Sequence, residues 1–370
     1  MTTLTHLAPA ALSSDGQEFC TLDEIYAAAK AKLDPHVWDF LEGGAGEEQT
    51  LAANREAFQR WTFRPRVLNG IGVPDLRTTF MGLDLALPLL TAPFGAEGQF
   101  HPDGHLAVAR ANAALGVVSI VPEASTFALE DVAAAAARAA RILQVHPTGD
   151  PRNVAALIAR GAAAGYEAIC VTCDCPTAGW RERNMRNRFE IDTTMVGGNY
   201  PPGGDVAMEE VFGQLFRRDA PLWTWDMLGE VMRESRLPWM AKGILTAEDA
   251  LAAAAAGAGA VLVSNHGGRQ LDGAPSSLAA VVEVADALDG TGVQIALDSG
   301  VRRGADVVKA LALGADAVVL GRAAALGLAA AGERGVARVH ELLRDELLTI
   351  MTLTGRERVT DIDRGLVQRA

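Results

Sequence analysis

Ala260-Val261-Leu262-Val263-Ser264-Asn265-His266-Gly267-Gly268-Arg269-Gln270 joins an apolar, β-branched run to a polar turn that carries a histidine and an arginine. Such a run reads as a buried parallel strand, with the turn at its carboxyl end. That end is where α/β folds keep their chemistry. Histidine exchanges a proton near neutral pH, and arginine offers a planar fork for a carboxylate or phosphate. The stretch predicts a base beside an anion clamp.

Outward from this stretch the chain repeats one theme: a short apolar run, a polar turn, then an alanine-rich helix. The runs are Leu87 to Ala92, Val117 to Val121, Ile142 to Val145, Ala168 to Thr172, Leu237 to Ala241, Ala260 to Val263, Gln294 to Leu297 and Ala317 to Leu320. Helical segments between them include Leu106 to Leu115, Leu129 to Ala139, Val154 to Ala164, Ala247 to Ala256, Ser277 to Leu288 and Ala305 to Leu313. Strand–helix units in this number predict a closed (β/α)8 TIM barrel rather than an open doubly wound sheet.

Residues 1–20 are small and polar and read as a flexible N-terminal tail; residues 21–370 read as one barrel domain. Thr21-Leu22-Asp23-Glu24 has the capping-box pattern and opens a helix through Leu33. Pro35 starts a second helix through Leu41, and a third spans Glu47 to Arg60, completing an N-terminal helical segment over 21–60. An irregular, proline-containing link follows to residue 80. The longest connection is an insertion at about 175–236, after the fourth strand. It contains Gly197-Gly198-Asn199-Tyr200-Pro201-Pro202-Gly203-Gly204 and reads as a lid over the barrel mouth.

A chain of 370 residues with 49% hydrophobic content can bury a large core. Its net charge of −13 argues against nucleic acid or an anionic membrane as a partner, since both need basic patches. No apolar run reaches membrane-spanning length, and the first 29 residues hold no Lys or Arg for a signal-peptide n-region, so a cytoplasmic enzyme is expected. Three of the four cysteines, Cys170, Cys173 and Cys175, cluster in and just after a strand without a second pair. They read as buried, reduced thiols, and no metal site is expected.

Asp298-Ser299-Gly300-Val301-Arg302-Arg303-Gly304 and Gly321-Arg322 follow the last two strands. Glycines let a phosphate approach backbone N–H groups and arginines supply bidentate donors, at the place where barrels commonly bind phosphate. Lys242, after the fifth run, faces the mouth or closes an ion pair. Asp174 either orients His266 or caps a turn. Arg181 reads, by spacing alone, as a solvated charge.

The segments Ser264 to Gln270, Asp298 to Arg303, Lys242-Gly243 and Thr172-Cys173-Asp174-Cys175-Pro176 resemble the FMN-dependent α-hydroxy-acid oxidases and dehydrogenases, a family that includes glycolate-, lactate- and mandelate-oxidising enzymes. The similarity runs from about Thr21 to Ile362. It implies a barrel with FMN at its mouth, oxidising an α-hydroxy acid to the α-keto acid and passing electrons to oxygen or another acceptor. By the same resemblance His266 is the base and Asp174 its partner carboxylate. Arg181 and Arg269 bind the substrate carboxylate, and Lys242 lies by the flavin. Pro93, Phe94, Gly95, Gln144, Thr172 and Ser264 contact the cofactor ring, while Asp298, Ser299, Gly300, Val301, Arg302, Gly321 and Arg322 hold its ribityl and phosphate. Relatives are often homotetramers, which makes a homo-oligomer the expected assembly.

Departures from the family's pattern fall in the substrate pocket. Phe40 and His146 stand where tyrosines are usual, and Pro122-Glu123-Ala124 replaces a serine-rich segment. Ala124 implies room for a bulky or aromatic substrate, and Gly95 leaves space where a larger side chain would restrict oxygen. These changes also raise an alternative: a biosynthetic tailoring enzyme, an oxidative decarboxylase or monooxygenase, using His146 and Glu123 as acid–base groups.

Overall fold

The computed structural model describes residues 19–201, 204, 206–213 and 222–370. Residues 1–18 of the expected tail, with Pro202 and Gly203 of the glycine-rich run, lie outside these. Order begins earlier than Thr21. Phe19 is buried and its carbonyl accepts a 2.9 Å hydrogen bond from Arg338 Nε.

Eight parallel strands close into a barrel in chain order. They are β1 (Leu89–Thr91), β2 (Val118–Val121), β3 (Arg141–Val145), β4 (Ala168–Thr172), β5 (Trp239–Ile244), β6 (Ala260–Val263), β7 (Gln294–Leu297) and β8 (Ala317–Leu320). Helices cover the outside, so nearly every strand residue is buried on both faces. This is why the strands read as continuous apolar runs and not as alternating ones.

Inside the barrel Leu90, Ile120, Ile142, Cys170, Met240 and Leu262 form one apolar cluster. A hairpin of Thr78–Phe80 and Leu83–Leu85 adds Phe80, Leu83 and Leu85 to it and seals the floor. The expected irregular link therefore holds structure: besides this hairpin, Trp61–Phe63 pairs antiparallel with Val367–Arg369. Strands of three residues are too short to show a period.

Thr21 caps helix α1 (Leu22–Lys32), its hydroxyl accepting the Glu24 N–H, while the Glu24 carboxylate accepts the Cys20 N–H at 2.6 Å. Helix α2 (Pro35–Glu42) has Asp34 as N-cap and Pro35 in its first turn, and α3 (Gln49–Gln59) follows. The last helix, Arg322–Thr354, begins directly at the end of β8 and is broken by Ala331 and Gly332.

Strand β5 runs past Lys242 to Ile244, beyond the expected end at Ala241. Its register with β6 shifts between Lys242 and Ile244, a bulge centred on Gly243 at φ +103°. A Cβ there would lie 2.5 Å from Asp174 Cβ, so only glycine lets the fifth strand approach that carboxylate.

Candidate active site

Just past β6, His266, Gly267 and Gly268 all take positive φ, at 58°, 66° and 76°. A left-handed histidine is uncommon and costs free energy, so its surroundings must hold it. They do so through three side chains. Ser264 Oγ accepts the His266 N–H at 3.1 Å, Ser299 Oγ the Gly267 N–H at 3.0 Å, and Asn265 Oδ1 the Gly268 N–H at 3.0 Å. Gly268 also packs on α3, where a Cβ would sit 2.7 Å from Leu51 N. The turn aims the imidazole across the barrel mouth.

His266 Nδ1 lies 3.2 Å from Asp174 Oδ2, 3.4 Å from Lys242 Nζ and 3.4 Å from Cys175 Sγ. Lys242 Nζ is also 3.9 Å from Asp174 Oδ1. Burial, with the Lys242 charge behind it, pulls the imidazole down to about 4 against the raising effect of Asp174. Burial alone would raise Asp174, but Lys242 and His266 hold it below the usual carboxylate range. The result is a neutral imidazole with Nδ1 turned to a carboxylate, leaving Nε2 as the basic nitrogen. The ligand atoms of Asp174, Cys175 and His266 fall within 4.8 Å of one another. The Lys242 ammonium already supplies the positive charge there, and burial pushes the Cys175 thiol up, away from the metal-binding thiolate. Cys170, Cys173 and Cys175 form no disulfide with one another; Cys170 and Cys175 are buried, Cys173 only partly.

Arg181 is not a solvated charge. Its Nε donates to the Arg269 carbonyl at 3.2 Å and its Nη2 to Gln270 Oε1 at 3.3 Å. Gln270 anchors this part of the insertion, since Gly179 N–H donates to its Oε1 and its Nε2 donates to the Asp174 and Thr177 carbonyls. Arg269 Nη1 donates to the carbonyls of Phe40 and Gly43, and its guanidinium lies 5.0 Å above the Phe40 ring. Arg322 donates to the carbonyls of Leu41, Gly43 and Gly267. Both cations thus sit on the C-terminal carbonyls of α2, where the helix dipole favours them. Burial, reinforced by Arg181 and Arg322, brings Arg269 well below its ordinary value.

A cavity of about 1130 Å³ opens at this mouth. Of the expected contacts, Pro93 to Gly95, Gln144, Thr172, Lys242, Asp298 to Arg302, Gly321 and Arg322 line it, as do Phe40, His146, Arg181, His266 and Arg269. Asp174 and Ser264 stand behind this wall. Ser264 is fully buried and supports His266 from beneath.

At one end of the cavity the first peptide groups of the last helix open at Gly321, flanked by Arg302 and Arg322. Burial, opposed by Glu42 and reinforced by Arg302, lowers Arg322 to about 10. A helix N-terminus between two guanidiniums suits a dianionic phosphate. The same cavity is lined by the Gln144 amide, the Thr172 hydroxyl, the Lys242 ammonium and the segment Pro93 to Gly95, a donor and acceptor set for a flat polar heterocycle. These residues fit FMN: Arg302, Arg322 and Gly300 would hold its phosphate, and Lys242 would favour negative charge on its reduced ring.

The departures form two clusters. Phe40 stacks on Phe189 at 5.0 Å and on Phe100 at 6.3 Å, building an aromatic wall. Glu123 is 1% exposed and does not line the cavity. Its Oε2 accepts from His146 N at 2.7 Å and pairs with His146 Nδ1 at 2.8 Å, while its Oε1 accepts the Tyr200 hydroxyl. Gly95 does not leave the space foreseen: a Cβ there would meet the Ala124 carbonyl at 2.7 Å. The first half of the insertion expected to act as a lid is fastened down, with Gly198 N–H donating to the Ser125 carbonyl and Asn199 Nδ2 to the Glu123 carbonyl at 2.8 Å.

Three residues escaped the sequence reading. Buried Glu42 lies 3.1 Å from Arg302, 3.4 Å from Arg55 and 3.8 Å from Arg322, which neutralises the phosphate end. Asn54 pairs with Asn265 through two side-chain hydrogen bonds of 2.7 and 2.8 Å, locking α3 to the His266 turn. Tyr200 holds Glu123. A signal existed only for Glu42, as an acidic residue ending an amphipathic helix.

A mouth that matches a flavin along one wall and offers a base and arginines on another is built for flavin-dependent oxidation of a hydroxy acid. The chain belongs to the FMN-dependent dehydrogenase family, whose model matches residues 29–369. It is 41% identical over 358 residues to an L-lactate oxidase of Nostoc sp., covering 94% of this chain and 97% of that one. It is 38% identical over 358 residues to a glycolate oxidase of Spinacia oleracea, covering 94% and 95%. A solved structure of mandelate oxidase with benzoyl-formic acid superposes with a TM-score of 0.86 at 38% identity, covering 95% of this chain and 98% of that one. The cofactor is FMN and the chemistry that of the α-hydroxy-acid oxidases. No helix among the described residues is long and apolar enough to cross a membrane.

Proposed function

We propose that the protein oxidises a 2-hydroxy acid with a bulky, preferably aromatic, side chain to the 2-keto acid, with His266 as the base. The observation that carries this reading is the orientation of His266, whose Nδ1 faces Asp174 at 3.2 Å while the ring lines the cavity. The neutral Nε2 takes the substrate hydroxyl proton as the carbonyl forms, and Asp174 stabilises the imidazolium produced. Arg181 and Arg269 bind the carboxylate. FMN, when bound, accepts the two electrons and the α-hydrogen. The aromatic wall of Phe40, Phe100 and Phe189 offers the substrate's side chain an apolar surface in place of a hydroxyl. Structures of mandelate oxidase at similar identity, one with (S)-2-phenylpropionate, support an aromatic substrate.

Oxygen or another acceptor reoxidises the cofactor, which peroxide detection under air distinguishes. The clustered thiols Cys170, Cys173 and Cys175, which form no disulfide, support a reducing, cytoplasmic setting. Val67 and Val73, exposed at 83% and 86%, support burial in a homo-oligomer, taken as a tetramer. An oxidative decarboxylase or monooxygenase would draw its extra acid–base group from His146 alone, because Glu123 has both oxygens engaged away from the cavity.

The test is anaerobic mixing of the holoenzyme with a panel of 2-hydroxy acids. Mandelate-like acids bleach the flavin and yield the keto acid. A flavin that stays oxidised with every aliphatic and aromatic member overturns the reading, and carbon dioxide release in place of keto acid favours the decarboxylase.

A further inference from the structure

Behind the cavity wall lies a carboxyl group that the reaction does not use. Glu97 sits in the loop after β1 and is fully buried, as is His105 on helix α4 (Gly104–Leu115), whose Nδ1 is 3.9 Å from Glu97 Oε1. Oε1 accepts the Ser125 hydroxyl at 2.6 Å and the Thr126 N–H at 3.0 Å, so this one oxygen ties the loop after β1 to the loop after β2. Glu97 Oε2 and both ring nitrogens of His105 make no hydrogen bond among the described residues.

The tie extends into the insertion. Thr126 Oγ1 donates to the Met195 carbonyl at 2.8 Å and accepts the Gly98 N–H at 3.0 Å, and the Ser125 carbonyl accepts the Gly198 N–H at 2.9 Å. The layers approach closely: a Cβ on Gly198 would lie 2.5 Å from the Phe127 carbonyl carbon, and one on Gly98 would lie 2.7 Å from Met195 Sδ. Glu97 is therefore at the root of three stacked layers, the loop after β1, the loop after β2 and the insertion from Thr193 to Tyr200. Each layer lines the cavity, the first through Phe94 and Phe100, the second through Ala124, and the third through Thr193 and Val196. A change at Glu97 moves the wall that a substrate meets.

Burial outweighs the hydrogen bonds from Ser125 and Thr126 and raises the Glu97 carboxyl to about 7. No cation compensates its ionised form. His105, the one ion-pair neighbour of Glu97 among the described residues, is itself kept neutral by burial down to about 3. Arg110, further along α4, is committed to Asp103 and Glu333, and the insertion presents the uncharged Met195. We infer that Glu97 is a positioning residue that fastens the insertion to the barrel mouth as a neutral acid, and that its ionisation releases the stretch from Thr193 to Tyr200. Opening lets water supply the donors that Oε2 lacks in the docked arrangement, so the ionised form favours the opened one. The docked form holds its proton more tightly than the opened form, whose carboxyl titrates near its ordinary 4.5. Docking is therefore strongest at acid pH, weakens as pH rises from about 4.5, and has lost this contribution once pH passes about 7. The identity of the 2-hydroxy acid does not enter.

Amide hydrogen exchange of the FMN-loaded protein, corrected for the intrinsic pH dependence of exchange, reads the docking from about pH 5 to about pH 8. In wild type, protection of the segments Thr193 to Tyr200 and Ser125 to Leu129 falls with pH by up to roughly tenfold per unit, roughly a hundredfold in all, while protection of β6 stays constant. E97Q keeps the shape of the neutral acid and carries nothing to ionise, so its protection stays high at every pH. E97A removes the tie and exchanges fast across the range; if it does not fold, E97Q alone decides. Wild-type protection that ignores pH, or a pH response that survives in E97Q, overturns the inference. So does a loss shared by β6, which would make the change global. A second readout rests on the proposed aromatic carboxylate: the ratio of wild-type to E97Q Kd for phenylacetate, taken from flavin absorbance, grows roughly severalfold over the same pH range. A constant ratio overturns the link from Glu97 to the cavity. If phenylacetate does not bind, the aromatic reading fails alone, and exchange still decides on Glu97.

Discussion

Lys242 Nζ stands 3.4 Å from the His266 nitrogen that faces Asp174. A cation there opposes protonation of the free imidazole, yet it also holds Asp174 ionised, ready to receive the proton's charge when it arrives. An imidazole so placed is kept neutral at rest and would be supported once it took up a proton, which, for the base we propose, is the preference for the transition state that catalysis requires.

Loss of the base should be nearly complete. H266A is expected to slow anaerobic flavin reduction by roughly 10²–10⁴-fold with FMN content unchanged, since a general base contributes on that order. Stopped-flow reduction checks it, and a rate within tenfold of wild type would remove His266 from the mechanism.

The pH dependence follows from direction alone. His266 must be unprotonated to act and its value lies lowered to about 4, so the reduction rate is present above that value and lost as pH falls through it. Removing the carboxylate that raises it, in D174N, shifts the acid limb further down and lowers the plateau. A limb near pH 6.5 in wild type would show that neither burial nor Lys242 lowers the ring.

G243A tests the bulge. A Cβ would sit 2.5 Å from Asp174 Cβ at a φ of +103°, so we expect about 1–3 kcal/mol lost from stability and a displaced carboxylate. Thermal unfolding and flavin reduction should fall together, and a variant with wild-type melting and rate would refute the need for glycine.

Glu42 balances the phosphate end. E42Q leaves Arg302 and Arg322 facing each other without a counter-charge, so the apoprotein should lose roughly 1–3 kcal/mol. FMN then restores more melting temperature than it gives wild type. Equal holo–apo gaps in the two proteins would show that Glu42 does not share the arginines with the phosphate.

Phe40 reports on selectivity. F40Y restores a hydroxyl next to Arg269 and should tighten small 2-hydroxy acids such as lactate by roughly tenfold or more. F189A, which removes the ring stacked at 5.0 Å, should weaken aromatic substrates selectively. Kinetics with lactate and mandelate compare the two, and parallel changes for both substrates would argue against a dedicated aromatic wall.

The barrel was legible because strands buried on both faces leave uninterrupted apolar runs, of which Ala168–Thr172, Ala260–Val263 and Ala317–Leu320 were read to the residue. Strand β5 was cut short because Lys242 and Gly243 resemble a terminator, whereas the lysine is buried against Asp174 inside the strand. Around the site, residues adjacent in sequence were readable as motifs. Pairings made by the fold were not. Glu123 and His146 were noticed as separate oddities, but nothing in their spacing shows that they bond to one another, or that Tyr200, 77 positions further on, closes the unit. Glu42 and Arg302 lie 260 positions apart.

The contact between Tyr200 and Glu123 makes the insertion and the cavity imidazole parts of one equilibrium. Linkage is reciprocal: whatever steadies the ring steadies the insertion by the same free energy. A neighbour that pulled on the outside of the insertion would therefore move a cavity wall it never touches.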